Sequence, residues 1–382
     1  MKTINVLNHT DALPSDESLA RLVQELPDFC NHEEVLYAID ERTGLRALIA
    51  VHNSSRGPGV GGTRFWSYND LSSAATDVLR LSRGMTYKNA MAELPFGGGK
   101  AVILAPKHSL GNRKEMMRAF GRAVSQLEGR YYTAEDVGTS CEDMTEVRKE
   151  TPWVFGLKDT SGDPSPHTAR GVFLAIEASV EERLQTDSLK GVRVLIQGVG
   201  HVGHHLCRML HEKGAELVVS DLNRAAVERC EQEFGARVVA PDQVYNQEVD
   251  VYSPCALGAT VNTEALKRLK ATIIAGAANN QLAQDLLADD LRDRDILYAP
   301  DYLINAGGII NIACEMSSTY CSDQAERLVA QIKPRLQQVF ERAKASSRTT
   351  TAVADEIARE RFVERHSKTT SRVADLGSVK VA

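Results

Sequence analysis

A chain of 382 residues with 43% apolar and 25% charged residues has the balance of a globular protein, which excludes disorder, coiled coil and collagen and leaves room for two or three domains. We expect two. The formal net charge of −6, without a long basic run, argues against nucleic acid or an anionic membrane as a partner and favours small molecules.

Along the first half, short β-rich runs alternate with helical periods: VLYAID (35–40), ALIAVHN (47–53), AVIL (101–104) and YYTAED (131–136) predict an α/β lobe. Thr43-Gly44 reads as a hairpin turn between the first two runs. Leu71, Ala74, Ala75, Val78, Leu79 and Leu81 fall at helical spacing, so Met85 and Lys88 are expected at or just beyond the C-terminal end of a helix over 70–90. GLKDTSGDPSPHT (156–168) shifts to Gly, Pro, Ser and Asp and predicts a loop and hinge. Five nearly continuous apolar runs follow, at 192–197, 215–221, 249–255, 272–277 and 296–301, as parallel strands covered on both faces require. Beyond Glu315 the pattern is amphipathic helix to about 365, expected to pack back on the first lobe, and 366–382 reads as a flexible tail.

The seven cysteines include no CxxC pair, which predicts reduced thiols and neither a zinc site nor a disulfide framework. No run resembles a signal peptide or reaches about 18 apolar residues, so a cytoplasmic protein without membrane contact is expected.

The strand at 192–197 runs into Gly198-Val-Gly200-His-Val-Gly203 and then a helix. Gly198 suits the tight turn, Gly200 the approach of backbone to a pyrophosphate, and Gly203 close helix–strand packing. The next strand ends at Asp221, where a carboxylate can accept from both ribose hydroxyls and repel a 2′-phosphate, which favours NAD over NADP, with Arg224 as the complicating cation. The competing reading is a βα turn without ligand. His201, His204 and His205 invite a metal reading, but no further ligand cluster is in register with them.

Three runs join glycines to a cation: GPGVGGTRFW (57–66), RGMTYKNAM (83–91) and LPFGGGKAVI (94–103). Gly97–Gly99 strip side chains from beside Lys100, leaving its ammonium a narrow space, and Gly61 and Gly62 could offer backbone N–H groups to a carboxylate. If Lys88 and Lys100 share a cleft, repulsion and desolvation favour the neutral amine at one of them, a base near pH 7. Taken singly, each lysine could equally be a solvated surface residue. Asp136, in TAEDVGT, is either an acid for proton transfer or a helix-cap or turn residue.

Together with GRYYTAEDVGT, GDPSPHTARGV, GVGHVG, PCALGATVN, IIAGAANNQL and YAPDYLINAGGIIN, these runs resemble the amino-acid dehydrogenases that act on glutamate, leucine, phenylalanine and valine, with the leucine dehydrogenases closest, over residues 33–345. The resemblance implies an α/β fold in two domains. Residues 1–160 would form a substrate, catalytic and oligomerisation domain with a mixed sheet, joined by the helices of 320–365, and 161–319 a Rossmann-type, doubly wound NAD-binding domain. It implies that Lys88 binds the substrate α-carboxylate with Gly61, Gly62, Met85 and Asn305, that Lys100 is the general base activating water, and that Asp136 exchanges protons with it. NAD would lie against Gly198, Gly200, His201, Val202, Gly203, Asp221 and Leu222, with Thr168, Cys255, Ala256, Ala277, Asn279 and Asn305 completing the groove. The expected partners are an amino acid, its 2-oxo acid, ammonia and further copies of the chain, as a dimer to octamer.

Glutamate-specific relatives carry a lysine where this chain has Val60, and the other positions matching the side-chain pocket are Phe155, Ile309 and Ile312, so an apolar substrate is expected. Leucine dehydrogenases carry smaller residues at the last three. The added bulk suits valine beside leucine, or redirects the pocket toward an aromatic amino acid such as phenylalanine or tryptophan. A catalytically silent NAD-binding homologue is the third reading, and its signature, loss of a lysine or of Asp136, is not seen.

Overall fold

The computed structural model describes residues 15–106, 112–157, 162–316, 320–363 and 370–376. They divide into two compact units, one built from the chain up to Thr86, Phe96–Phe155 and the C-terminal strand, the other from Tyr87–Pro95 and Gly156–Val363.

The first unit begins with helix α1 (Asp16–Glu25), capped by the Ser15 hydroxyl, and the hairpin of β1 (Glu34–Asp40) and β2 (Leu45–Asn53). Gly44 holds the turn at φ +73°, where a side chain would be strained. Then come β3 (Gly59–Val60), β4 (Thr63–Trp66), α2 (Leu71–Met91), β5 (Gly97–Leu104), α3 (Arg113–Ser125), β6 (Tyr131–Tyr132) and α4 (Cys141–Arg148). With the C-terminal strand β13 (Thr370–Asp375) at its edge, the mixed sheet has the order β13-β1-β2-β5-β3-β6, and β4 also pairs with β5. Val35, Tyr37, Ile39, Leu48 and Ala50 pack on α2 through Ala74, Ala75, Val78 and Leu79, while α3 also contacts β1 and β2, so both faces of these strands are covered and they are apolar along nearly their whole length.

Helix α2 spans Leu71–Met91 with Lys88 in its last turn, at the C-terminal end as expected, while Met85 is corrected to a place further inside the helix. Strand β5 starts at Gly97, ahead of the expected AVIL run, so the glycine run is itself strand. Residues 370–375 are no flexible tail: they pair in parallel with β1, Arg372 meets Glu34 at 2.5 Å, and the Val373 N–H donates to Asp16. That pairing joins segments more than 330 residues apart, beyond the reach of any local signal.

The second unit runs α5 (Ser165–Leu184), β7 (Arg193–Gln197), α6 (His201–Glu212), β8 (Glu216–Ser220), α7 (Arg224–Phe234), β9 (Arg237–Val238), β10 (Val251–Pro254), α8 (Thr263–Arg268), β11 (Ile273–Ile274), α9 (Leu287–Asp293) and β12 (Leu297–Tyr298). Helices α10 (Asp301–Ile304), α11 (Gly307–Ala313), α12 (Ser322–Ala330), α13 (Ile332–Ser346) and α14 (Thr350–Glu360) complete it. All pairings in its six-stranded sheet are parallel, in the order β12-β11-β10-β7-β8-β9, so the chain winds outward from β7 to β9 and returns on the other side at β10. The crevice at that reversal is where doubly wound sheets bind ligands.

Part of the expected 156–168 loop lies outside the described residues, and its end is corrected: α5 begins at Ser165, so Thr168 is helical. The late helices meet two parts of the chain. Helices α12 and α13 pack on α5, with Lys333 on Glu181 at 2.5 Å, while Arg335 and Arg361 pair with Glu93 and Phe362 packs on Tyr87, so the late helices do return to the 1–160 segment, but to its Tyr87–Pro95 stretch, which falls with them in the second unit.

Candidate active site

In the first unit the glycines of β5 admit no side chain. A Cβ at Gly97 would stand 2.0 Å from the Asn53 carbonyl oxygen, one at Gly98 2.1 Å from Thr86 Oγ1 and 2.2 Å from its backbone nitrogen, and one at Gly99 2.6 Å from the Tyr131 ring. The strand is thereby pressed against α2 and β6, and the next residue, Lys100, is delivered into a tight enclosure with only 6% of its surface exposed.

Lys100 Nζ lies 2.9 Å from Asp136 Oδ2. Asp136 heads a turn just after β6, fixed by its N–H on Thr139 Oγ1 and its carbonyl oxygen under the Thr139 N–H, while its side chain is directed at Lys100. Burial pushes this carboxyl up, but the Lys100 charge and hydrogen bond, with the Arg64 guanidinium, outweigh it and leave Asp136 below the ordinary carboxylate range.

Sequence reasoning placed Arg64 in a glycine-rich run but gave it no role. Its Nε is 3.5 Å from Asp136 Oδ2, while its Nη1 grips both Asp77 oxygens at 3.2 and 2.9 Å; Tyr68 donates to Asp77 at 2.6 Å. A cation two residues after a glycine pair was the only signal for it.

Gly61 is corrected as an anion donor. Its N–H donates to the Tyr132 carbonyl oxygen at 3.2 Å and its own carbonyl oxygen accepts from the Tyr131 hydroxyl, while a Cβ there would stand 2.0 Å from the Gly99 carbonyl oxygen and 3.0 Å from Met85 Cγ. Gly62 is equally confined, since a Cβ there would lie 2.3 Å from the Glu135 carbonyl oxygen. Val60 is fully buried, and Phe155 stacks on Tyr132 with ring centroids 5.0 Å apart and 16° between planes.

In the second unit, Gly198 takes φ +98° with Ala256 only 2.7 Å from where a Cβ would be, and a Cβ at Gly203 would lie 2.0 Å from the Gly198 carbonyl oxygen. At Gly200 a Cβ would meet nothing within 4 Å. Gly200 is also the N-cap of α6 and supplies no side-chain cap, so the helix start, with His201 and Val202, presents backbone N–H groups toward open space. Asp221 follows β8 and is oriented by the Val199 and Asn223 N–H groups, one on each oxygen at 2.8 Å; beside it Leu222 is 89% exposed.

The loops after β10 and β11 bring further expected residues to the same sheet end. The Cys255 N–H donates to Gln197, which fixes Ala256 against the glycine turn. Asn305 Nδ2 donates to the Ala277 carbonyl oxygen at 3.1 Å and to Asn279 Oδ1 at 2.9 Å, and Lys88 Nζ donates to that same Oδ1 at 3.0 Å. Asn305 Oδ1 is buried with no hydrogen-bond partner, an acceptor left for a ligand. Helix α11 crosses α5 so closely that a Cβ at Gly308 would be 2.9 Å from Thr168 Oγ1; Ile309 and Ile312 lie on the same short helix, Ile312 buried. Asp301 was missed by sequence reasoning: burial raises its carboxyl above the ordinary value, although the Gln281 N–H and the Lys88 charge pull the other way.

Of the histidines considered for metal, His204 is buried on Glu233 at 2.9 Å while His201 points outward. Among the described residues no group of three or more His, Cys, Asp or Glu side chains is arranged to hold a metal ion, and no helix is long and apolar enough to cross a membrane.

Residues 32–153 match the model of the Glu/Leu/Phe/Val dehydrogenase dimerisation domain, and residues 161–228 and 219–369 match that of the glutamate/leucine/phenylalanine/valine dehydrogenases. The chain belongs to the Glu/Leu/Phe/Val dehydrogenase family. It is 46% identical to the leucine dehydrogenase of Bacillus subtilis (strain 168) over 91% of this chain and 95% of that one. It is 42% identical to the valine dehydrogenase of Streptomyces virginiae over 87% and 94%. The crystal structure of L-tryptophan dehydrogenase from Nostoc punctiforme superposes with a TM-score of 0.76 at 42% identity, covering 87% of this chain and 96% of that one.

As a Glu/Leu/Phe/Val dehydrogenase the protein is an amino-acid oxidoreductase dependent on a pyridine nucleotide. The second unit fits that group: the bare helix start at Gly200 suits a pyrophosphate, the oriented Asp221 suits a ribose, and the orphaned Asn305 oxygen is an acceptor near the sheet end.

Proposed function

We propose that the protein catalyses the NAD-dependent, reversible oxidative deamination of a branched-chain L-amino acid such as leucine or valine: amino acid, NAD+ and water give the 2-oxo acid, ammonium, NADH and a proton. The observation that carries this reading is the enclosed Lys100–Asp136 pair, an amine and a carboxylate in contact and largely shielded from solvent. When bound, the nicotinamide supplies the hydride acceptor for the substrate Cα. Lys88, positioned by Asn279, binds the α-carboxylate with Asn305; Gly62 and Met85 are further substrate-binding residues in this reading. Lys100 takes a proton from the water that adds to the iminium carbon, and Asp136 holds the resulting ammonium and returns protons as ammonia leaves. Thr168, Cys255, Ala256, Ala277 and Asn279 line the cofactor, with His201, Val202 and Leu222 at its pyrophosphate and ribose.

NAD is favoured over NADP because the Asp221 carboxylate, already ordered by two N–H groups, would repel a 2′-phosphate. An aliphatic substrate is favoured because Val60 and Phe155 are apolar and buried and offer a side-chain carboxylate no partner; Ile309 and Ile312 add apolar surface. The leucine and valine dehydrogenases among the relatives support the same choice. An aromatic substrate is the second reading, supported by the L-tryptophan dehydrogenase among the similar structures and by the Phe155–Tyr132 stack. A homo-oligomer is inferred from the dimerisation-domain match, and a cytoplasmic location from seven unbridged cysteines.

The test is the initial rate of nucleotide reduction with L-leucine, L-valine, L-phenylalanine, L-tryptophan and L-glutamate, each with NAD and with NADP. The highest kcat/KM is expected for leucine or valine with NAD, and none for glutamate. A highest value for an aromatic substrate establishes the second reading, and absence of turnover with all five refutes deamination.

A further inference from the structure

Beyond Lys100 and Asp136, the first unit contains a partly buried cation for which the reaction as described has no use. Arg64 lies on β4, whose pairing with β5 carries the guanidinium toward Asp136. Its Nε is buried and has no hydrogen-bond acceptor of its own, and it faces Asp136 Oδ2 from 3.5 Å, the oxygen that Lys100 approaches to 2.9 Å. Arg64 cannot move closer, because Asp77 on α2 holds its Nη1 at 3.2 and 2.9 Å and is itself held by the Tyr68 hydroxyl at 2.6 Å. Asp136 thus stands between a mobile proton carrier and a cation that never loses its charge.

Resting on the assignment of Lys100 as base, we propose that Arg64 is a positioning residue for the reaction: its guanidinium, shared between Asp77 and Asp136, keeps Asp136 an anion while Lys100 is neutral. When the lysine gives up its proton, Asp136 loses its nearest counter-charge in a buried setting, where an unpaired carboxylate would capture a proton. Arg64 prevents that capture, so Asp136 stays an anion beside the neutral amine and is ready to hold the ammonium formed when that amine takes a proton from water. Asp77 sets the dose, since a guanidinium facing Asp136 alone would raise the local positive charge and a missing one would lower it.

The groups facing the trio are Lys100 from β5, Arg64 from β4, Asp77 from α2, Tyr68 from the β4–α2 connection and Tyr131 from β6, whose phenol burial keeps protonated. Neighbouring Arg113 and Glu135 are turned to Asp143 and Cys141.

The experiment is the pH profile of kcat/KM for amino-acid oxidation in Arg64→Gln, Arg64→Lys and Asp77→Asn, with melting temperature as the control for folding. Removing the cation favours the protonated forms, so Arg64→Gln is expected to move the acid limb upward by roughly one pH unit. Arg64→Lys, which keeps a cation, should show much less of the shift, and Asp77→Asn should move the limb downward. A purely structural Arg64 lowers the melting temperature and kcat while the limb stays put. A limb unmoved in Arg64→Gln and Asp77→Asn, or moved in the same direction by both, overturns the proposal. If Arg64→Gln does not fold, the downward shift in Asp77→Asn alone decides it. Undiminished turnover in Lys100→Ala is the separate result that removes the base assignment beneath it.

Discussion

A Cβ at Gly98 in the first unit would strike the Thr86 backbone at 2.2 Å, whereas a Cβ at Gly200 in the second would meet nothing within 4 Å. Both glycines sit in glycine-rich runs that look alike in sequence. The first run is glycine because protein already fills the space, so that Lys100 emerges in a tight enclosure; at Gly200 the space is open, as the proposed nucleotide site needs. Chemistry that needs a shielded amine and binding that needs bare backbone therefore use the same residue for opposite reasons.

That contrast is most severely tested by alanine at each position. Gly98→Ala should cost about 3 kcal/mol or more, because the clash is with backbone and cannot be relieved by a side-chain rotation. The two tryptophans, Trp66 and Trp153, both lie in the first unit, so fluorescence-monitored denaturation reads this loss directly. Next in size is Asp136→Asn, which keeps the shape of the side chain but removes the charge facing Lys100; kcat should fall about 100-fold with the melting temperature within a few degrees.

The first unit should also be the acid-sensitive one. Burial, with smaller repulsion from Arg83, lowers the buried His32 to about 4, and burial with repulsion from His32 and Arg83 lowers His52 to about 3. An unfolded histidine takes up its proton near pH ~6.5, so below that value the unfolded chain binds protons that the fold refuses. Stability of the first unit should therefore fall as pH drops from ~6.5 toward 4, by about 1.4 kcal/mol per pH unit for each histidine. Tryptophan-monitored denaturation midpoints at pH 7 and pH 5 check it. Smallest is Gly200→Ala: φ is −67° and the position is open, so stability should stay within about 0.5 kcal/mol. Its NAD affinity, by calorimetry, should weaken about 10-fold as the methyl keeps the pyrophosphate off the backbone.

Much of this was legible in the sequence. The apolar runs that became β7, β8, β10, β11 and β12 announced a buried parallel sheet, and the order strand, glycine turn, helix, strand, acid located Asp221, because each of those signals is local. What escaped depended on distance along the chain. Strand β13 borrows its partner from the opposite end; Arg64 acquires meaning only when β4 lies beside β5; Gly61 loses its donor to Tyr132, a neighbour that no spacing rule supplies. The packing of α12 and α13 on α5 belongs to the same class.

The central claim is that the base and the nucleotide site are separable parts, and Lys100→Ala tests it most directly when turnover and NAD affinity are measured on the same preparation. Turnover should fall at least about 1,000-fold while the Kd for NAD stays within about twofold, since the amine is lost from chemistry and the Gly198–Asp221 region is untouched. Turnover within about tenfold of the parent protein, in a folded sample that binds NAD, would contradict the account.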